Sequence, residues 1–172
     1  GICMKKICLL LIIFITTLYS ACNTEAADKK EITKQVSAIG NAVDKRDWEA
    51  LRKIFKNPFN LDYSSFGGGK AGLKKIDDVI KAWKFLEGFD STFHDIPDYK
   101  VTIIGNTAHV FSKVKATHKI KGHKPWIVYG SYNHKLVKEN GKWKVSGMKF
   151  NFKKQEGNKY LPKVAQKKLK KN

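Results

Sequence analysis

"TAHVFSKVKATHKI" (107–120), "PWIVYGSYNHKLVKE" (125–139) and "KWKVSGMKFNFKK" (142–154) decide the fold of this chain. In each, apolar and polar residues alternate with a period of two, the pattern of a strand with one face in a core and the other in water. "DYKVTIIG" (98–105) precedes them. "GN" at 105–106 and "NG" at 140–141 are hairpin signals between such runs. The C-terminal half therefore reads as an antiparallel meander.

Upstream of the meander the period changes. Ile32, Val36, Ile39 and Val43 recur at helical spacing. Asp47 is the expected N-cap of a second run, with Trp48, Leu51, Ile54 and Phe55 on its apolar side. Pro58 should end that run, because it disfavours helix at Asn57. "FNLDYSSF" (59–66) suits a short strand. "GGGKAG" (67–72) reads as a flexible loop, since it lacks the spacing of a phosphate loop. A third helix is expected from Lys74 to Leu86, with Ile76, Val79, Ile80, Trp83 and Phe85 or Leu86 turned inward. Helices followed by a meander make an α+β fold with the helices on one face of the sheet. A sheet curled against a long helix leaves an apolar cleft suited to a small ligand.

The chain has 172 residues, enough for one domain with a sizeable core, and its 42% hydrophobic content excludes a disordered polymer. "MKKICLLLIIFITTLYSAC" (4–22) joins two lysines, an apolar run and a small-residue site before Cys22. That is the pattern of a secretory leader, too short for a membrane span, with Met4 as the expected start. A Cys directly after "LYSA" resembles a bacterial lipoprotein signal, in which Cys22 is diacylated; ordinary signal-peptidase cleavage is the alternative. The expected organisation is a leader over 1–21, a tether over 22–30, one domain over 31–162 and a basic disordered tail over 163–172. The expected location is the bacterial cell envelope, periplasmic or at the outer membrane, with the chain held by lipid on Cys22.

Cys3 and Cys8 leave with the leader, so one thiol remains, too few for an internal bridge or a cysteine zinc site. The net charge is +19, and the leader removes only Lys5 and Lys6 of it. No nucleic-acid motif accompanies that charge, and the lysines of "KKLKKN" (167–172) suit anionic lipid headgroups better.

Asp44 projects about 140° from Ile39 on a helical wheel, between Leu51 at about 120° and Phe55 at about 160° if the helix runs through, and so lies on the apolar side, unlike Lys34, Lys45 and Glu49. A lone buried carboxylate is costly, so a cation or an imidazole should face it. The competing reading is that the helix breaks near Asp44 and the carboxylate caps the next turn. His94, His118 and His134 are the candidate partners; His109 lies near a hairpin turn and His123 in a loop. Val114, Ala116 and His118 share one strand face, so His118 should point to the concave side. His134 alternates with Tyr132 and Leu136 and should face inward as a hydrogen-bonded core residue. Trp83, Trp126, Tyr132 and Phe150 are the expected pocket wall, a pattern equally consistent with core packing. Two His and one Asp suit a metal as well, but no helical ligand spacing accompanies them, and no metal or cofactor is expected.

The segments "VDKRDWEALRKIF", "LDYSSFGG", "AWKFLEGFDSTFH", "GNTAHV", "VKATH", "GSYNHKLVKENGKWKVSGMKF" and "QEGN", in this order, resemble the SnoaL-like branch of the nuclear transport factor 2-like superfamily, from about Ile32 to Leu161. That resemblance implies a cone-shaped α+β fold with an internal pocket, a small-molecule ligand and a homodimer or homotrimer. Within the branch the chain is most similar to the scytalone dehydratase family. The similarity implies that Asp44 orients His94 as general acid and base, that His118 helps protonate a departing hydroxyl, and that Tyr63 polarises a carbonyl. A hexachlorocyclohexane dehydrochlorinase of this fold also uses the Asp–His pair. Val43 replaces a water-holding tyrosine of the dehydratase, and Gly130 and Tyr132 replace its pocket serine and asparagine. Scytalone is therefore not the expected substrate. The expected activity is a cofactor-free lyase or isomerase; the alternative is an envelope-anchored ligand-binding or adaptor protein.

Overall fold

The computed structural model describes residues 2–171, with side chains from Thr24 onward. The leader expected over 1–21 and the acylation expected at Cys22 lie outside the residues whose side chains are described.

Helix α1 (Ile2–Lys45) buries Ile32, Val36, Ile39 and Val43 along one stripe. It ends in a Schellman turn. Arg46 takes φ +60°, its N–H reaches the Val43 carbonyl at 3.1 Å, and the Asp47 N–H reaches the Ala42 carbonyl at 2.8 Å. Asp47 then caps α2 (Trp48–Ile54), its carboxylate accepting from the Ala50 N–H at 3.0 Å. The break means that Leu51 and Phe55 do not continue the α1 stripe.

Strand β1 (Phe55–Asp62) begins four residues before the run at 59–66, and Ser64–Phe66 form a 3-10 turn instead of its end. Parallel pairing of Phe55 with Val145, both buried, overrides the helical reading of this stretch. A short β2 (Gly72–Lys74) pairs with β1. Helix α3 (Ile76–Trp83) is shorter than expected, and a 3-10 turn at Lys84–Gly88 turns Leu86 inward.

The remaining strands are β3 (Ser91–Asp95), β4 (Lys100–Ile104), β5 (Thr107–Lys119), β6 (Trp126–Glu139) and β7 (Lys142–Gly157). The sheet runs β2-β1-β7-β6-β5-β3, antiparallel except between β1 and β7. β4 shares the outer edge of β5 with β3. Bulges between Tyr129 and Gly130 and between Lys135 and Leu136 bend β6 against β7, so the sheet curves without closing. Along β5, Ala108, Val110, Ser112, Val114, Ala116 and His118 are buried in strict alternation. Helix α1 packs against β3, β4 and β7. The chain has the α+β arrangement that the alternation and helical stripes implied, with the sheet curved as the resemblance implied.

Both ends of the domain differ from the reading of the sequence. Residues 24–30, part of the expected tether, belong to α1. Asp28 accepts from Lys138 Nζ at 2.6 Å and from the indole of the fully buried Trp143 at 2.9 Å. The expected tail over 163–172 is largely helix α4 (Leu161–Leu169), with Leu161 and Ala165 fully buried. Its lysines masked a stripe of Leu161, Val164 and Ala165 at helical spacing.

Gly88 is what lets α4 dock. A Cβ there would stand 2.2 Å from the Ala165 carbonyl oxygen. Gly88→Ala is therefore expected to displace α4 and cost about 2 kcal/mol, or about 4–8 °C in Tm. Thermal melts and hydrogen exchange over 161–169 check this; unchanged protection in α4 would show that the helix does not depend on that contact.

Candidate active site

The last turn of α1 and the middle of β3 bring Asp44 and His94 together. Asp44 Oδ1 lies 2.7 Å from His94 Nδ1, and Oδ2 accepts the His94 backbone N–H at 2.8 Å. The Thr92 hydroxyl donates to Asp44 Oδ1 at 2.8 Å. Asp44 thus stays within α1 as a paired carboxylate, and Asp47 is the cap. With Nδ1–H directed at the carboxylate, His94 Nε2 is left as the ring's acceptor, free of hydrogen bonds among the described residues.

Arg46 supports this arrangement from behind. Its guanidinium donates to the Val43 carbonyl at 2.6 Å, the Leu86 carbonyl at 2.6 Å and the Thr92 hydroxyl at 2.7 Å. A cation at the C-terminal end of α1 complements the helix dipole, which otherwise disfavours a carboxylate there. Burial works to raise the Asp44 carboxyl, but the hydrogen bonds and charge of His94 and the Thr92 hydroxyl outweigh it and hold it below its ordinary value.

The second histidine is a different chemical object. His118 is buried, and its Nδ1 lies 3.3 Å from the Trp126 carbonyl oxygen, the donor position of a neutral ring. Burial, assisted by nearby His94, pushes its pKa down to about 4. At neutral pH it offers Nε2 as an acceptor only. The role implied by the resemblance, proton donor to a departing hydroxyl, does not fit this state. Its ring centroid is 6.2 Å from that of His94.

Tyr63 and Tyr132 form a phenol pair. Burial raises both; Tyr132 stands at about 12, lowered somewhat by accepting from Tyr63 and raised by the Asp44 charge, and Tyr63 lies well above its ordinary value. Both are protonated at neutral pH. Both phenols line the cavity, and each can offer its O–H to a ligand.

The two histidines and the two phenols border one cavity of about 180 Å³, while Asp44, Thr92 and Arg46 stand behind its wall. Tyr63, His94 and His118 line it, as do Trp83, Trp126, Tyr132 and Phe150. Phe66 stacks on Trp126 and meets Phe150 edge-on, making an aromatic wall. Gly130 makes room for that wall, since a Cβ there would lie 2.5 Å from the Phe150 ring. Among the described residues, no three His, Cys, Asp or Glu side chains converge as metal ligands.

A model of the SnoaL-like domain matches residues 24–149. The chain belongs to the SnoaL-like family. Its fold is that of the nuclear transport factor 2-like superfamily. Solved structures similar to this SnoaL-like domain include the Kfla4162 protein of Kribbella flavida, at 23% identity and a TM-score of 0.73, over 83% of this chain and 99% of that one. A candidate scytalone dehydratase of Novosphingobium aromaticivorans matches at 19% identity and 0.69, over 79% and 91%. A hexachlorocyclohexane dehydrochlorinase of Novosphingobium barchaimii matches at 14% and 0.66, over 78% and 92%. No curated protein sequence matches the chain significantly.

Two members of the SnoaL-like site were not picked out from the sequence. Thr92 was within reach, because it lies two residues before His94 on the same face of β3. Arg46 was not, because nothing in "DKRDW" announces a left-handed arginine whose side chain folds back on its own helix. His134 faces the cavity but is not the hydrogen-bonded core residue expected: neither ring nitrogen has a partner among the described residues.

Proposed function

We propose that this protein is a cofactor-free acid/base enzyme, a lyase or isomerase, that removes a proton from a carbon beside a carbonyl in a compact ring-shaped molecule. The observation that carries the reading is the Asp44 carboxylate, whose contacts to His94 Nδ1, the His94 N–H and the Thr92 hydroxyl set the tautomer that leaves Nε2 basic. His94 Nε2 takes the proton, and Asp44 stabilises the imidazolium. A protonated phenol of the pair, Tyr63 or Tyr132, donates to the developing enolate oxygen. The imidazolium then returns the proton to carbon, giving an isomer, or to a departing hydroxyl, giving water and an alkene. His118 accepts a hydrogen bond from a ligand hydroxyl. An apolar cavity of about 150 Å³ admits benzene, so this one suits a one- or two-ring guest.

The test is exchange of the α-protons of 2-indanone in D₂O, followed by NMR. The wild-type protein should accelerate it, and His94→Ala should lower that acceleration about 10²- to 10⁴-fold. Tight binding without exchange would instead establish a ligand-binding protein on the same scaffold.

A further inference from the structure

One polar residue of the cavity wall is not used by the acid/base reading. His134, on β6, is 2% exposed and lines the cavity. Neither of its ring nitrogens has a hydrogen-bond partner among the described residues, and the same is true of the fully buried Ser112 hydroxyl. In the β5–β6 register Ser112 faces Tyr132 and Val110 faces His134, so the two unpartnered groups are diagonal neighbours on the concave face. His94 pairs with Ala116, six residues further along β5 from the Val110 that faces His134. The unpartnered histidine and the proposed base therefore enter the cavity from different points along the sheet.

A buried imidazole with no partner costs stability, and an apolar residue of similar volume would remove that cost. Burial holds its pKa at about 3, so at neutral pH it carries one N–H donor and one acceptor nitrogen. The groups packed around it are apolar or uncharged, with the Tyr132 ring centroid 5.5 Å away. Such a site rejects an anion and matches a group that both donates and accepts, as a hydroxyl does.

We propose that His134 is a specificity-determining residue that hydrogen-bonds a hydroxyl group on an uncharged, flat ring compound, at the end remote from the carbon that His94 deprotonates. The placement of the reacting carbon rests on the function proposed above; the contact with His134 does not.

The test uses 2-indanone and 5-hydroxy-2-indanone, which differ by one hydroxyl at the end opposite the carbonyl. Trp83 and Trp126 line the cavity, so binding is read from tryptophan fluorescence. The wild-type protein should bind the hydroxylated probe about tenfold more tightly, and His134→Leu should bring the two affinities within about twofold of each other. The same variant should melt about 3 °C higher, because an unpaired buried ring has been removed. In ¹⁵N spectra of the wild-type protein, the His134 ring nitrogens should shift with 5-hydroxy-2-indanone and stay in place with 2-indanone. Equal affinities in the wild type, undiminished discrimination in His134→Leu, or binding of neither probe would overturn the proposal. Failure of the acid/base reading looks different: both probes bind with the expected preference, but no α-proton exchange is accelerated.

Discussion

Asp44→Asn is expected to lower the exchange of 2-indanone α-protons by about 10³- to 10⁴-fold while the protein remains folded. The reason is the count of acceptors. Asp44 Oδ1 serves both the Thr92 hydroxyl and His94 Nδ1, and Oδ2 serves the His94 backbone N–H. Asparagine keeps the shape but has a single acceptor oxygen. If that oxygen stays on the backbone N–H, the amide N–H₂ faces His94 Nδ1 and draws the ring into the opposite tautomer. Nε2 then carries the proton and has no lone pair for a substrate. If the amide flips, two N–H groups confront each other at the backbone of β3. Either arrangement costs about 1–2 kcal/mol of stability. Asp44→Ala should cost more, about 3 kcal/mol, because the pair is largely enclosed, with the two side chains 16% and 12% exposed. Exchange by Asp44→Asn within about threefold of wild type would reduce Asp44 to a structural role.

Acid should weaken the fold well above the pH at which carboxylates titrate. His118 and His134 have folded pKa values of about 4 and about 3, against 6.5 for an exposed histidine. Between those values the unfolded chain binds more protons than the folded one, so stability rises with pH. The stabilisation is fully present above pH 6.5 and is lost as pH falls, toward pH 4 for His118 and pH 3 for His134. Two protons taken up on unfolding give a slope of about 3 kcal/mol per pH unit near pH 5, and about 5 kcal/mol between pH 7 and pH 4.5. His118 also feels His94, Asp44 and Arg46 from β3 and α1, whereas burial alone acts on His134. Denaturant midpoints at pH 7, 5.5 and 4.5 read the slope, and His134→Leu should halve it. A flat profile from pH 7 to pH 5 would mean that these rings are protonated at ordinary cost in the fold.

Much of this molecule was legible before its coordinates. The meander, the α1 stripe and the Asp47 cap all rest on local rules, periodicity and capping, which act over a few residues. Asp44 faces inward although the helix that was to carry Leu51 and Phe55 beside it breaks after Lys45, whereas His118 on a concave face followed from the strand period. The α4 docking surface did not, because its lysines dominate the composition while Leu161 and Ala165 are hidden by a partner, Gly88, that lies more than seventy residues earlier. Nor did the start of β1, where pairing with β7 prevailed over the turn chemistry of Pro58.

The division is clearest at the site. Which strand residues face inward follows from local periodicity, since side-chain direction is a property of the strand pleat. The chemical state of each inward group depends on long-range contacts. Asp44 is a paired carboxylate because β3 presents a ring, an N–H and a hydroxyl to it. His118 is an acceptor because the Trp126 carbonyl lies beside Nδ1. His134 is unpartnered because no polar group among the described residues reaches it. Protonation state and tautomer are set by partners distant in sequence and by exclusion of water, and neither is encoded in local spacing.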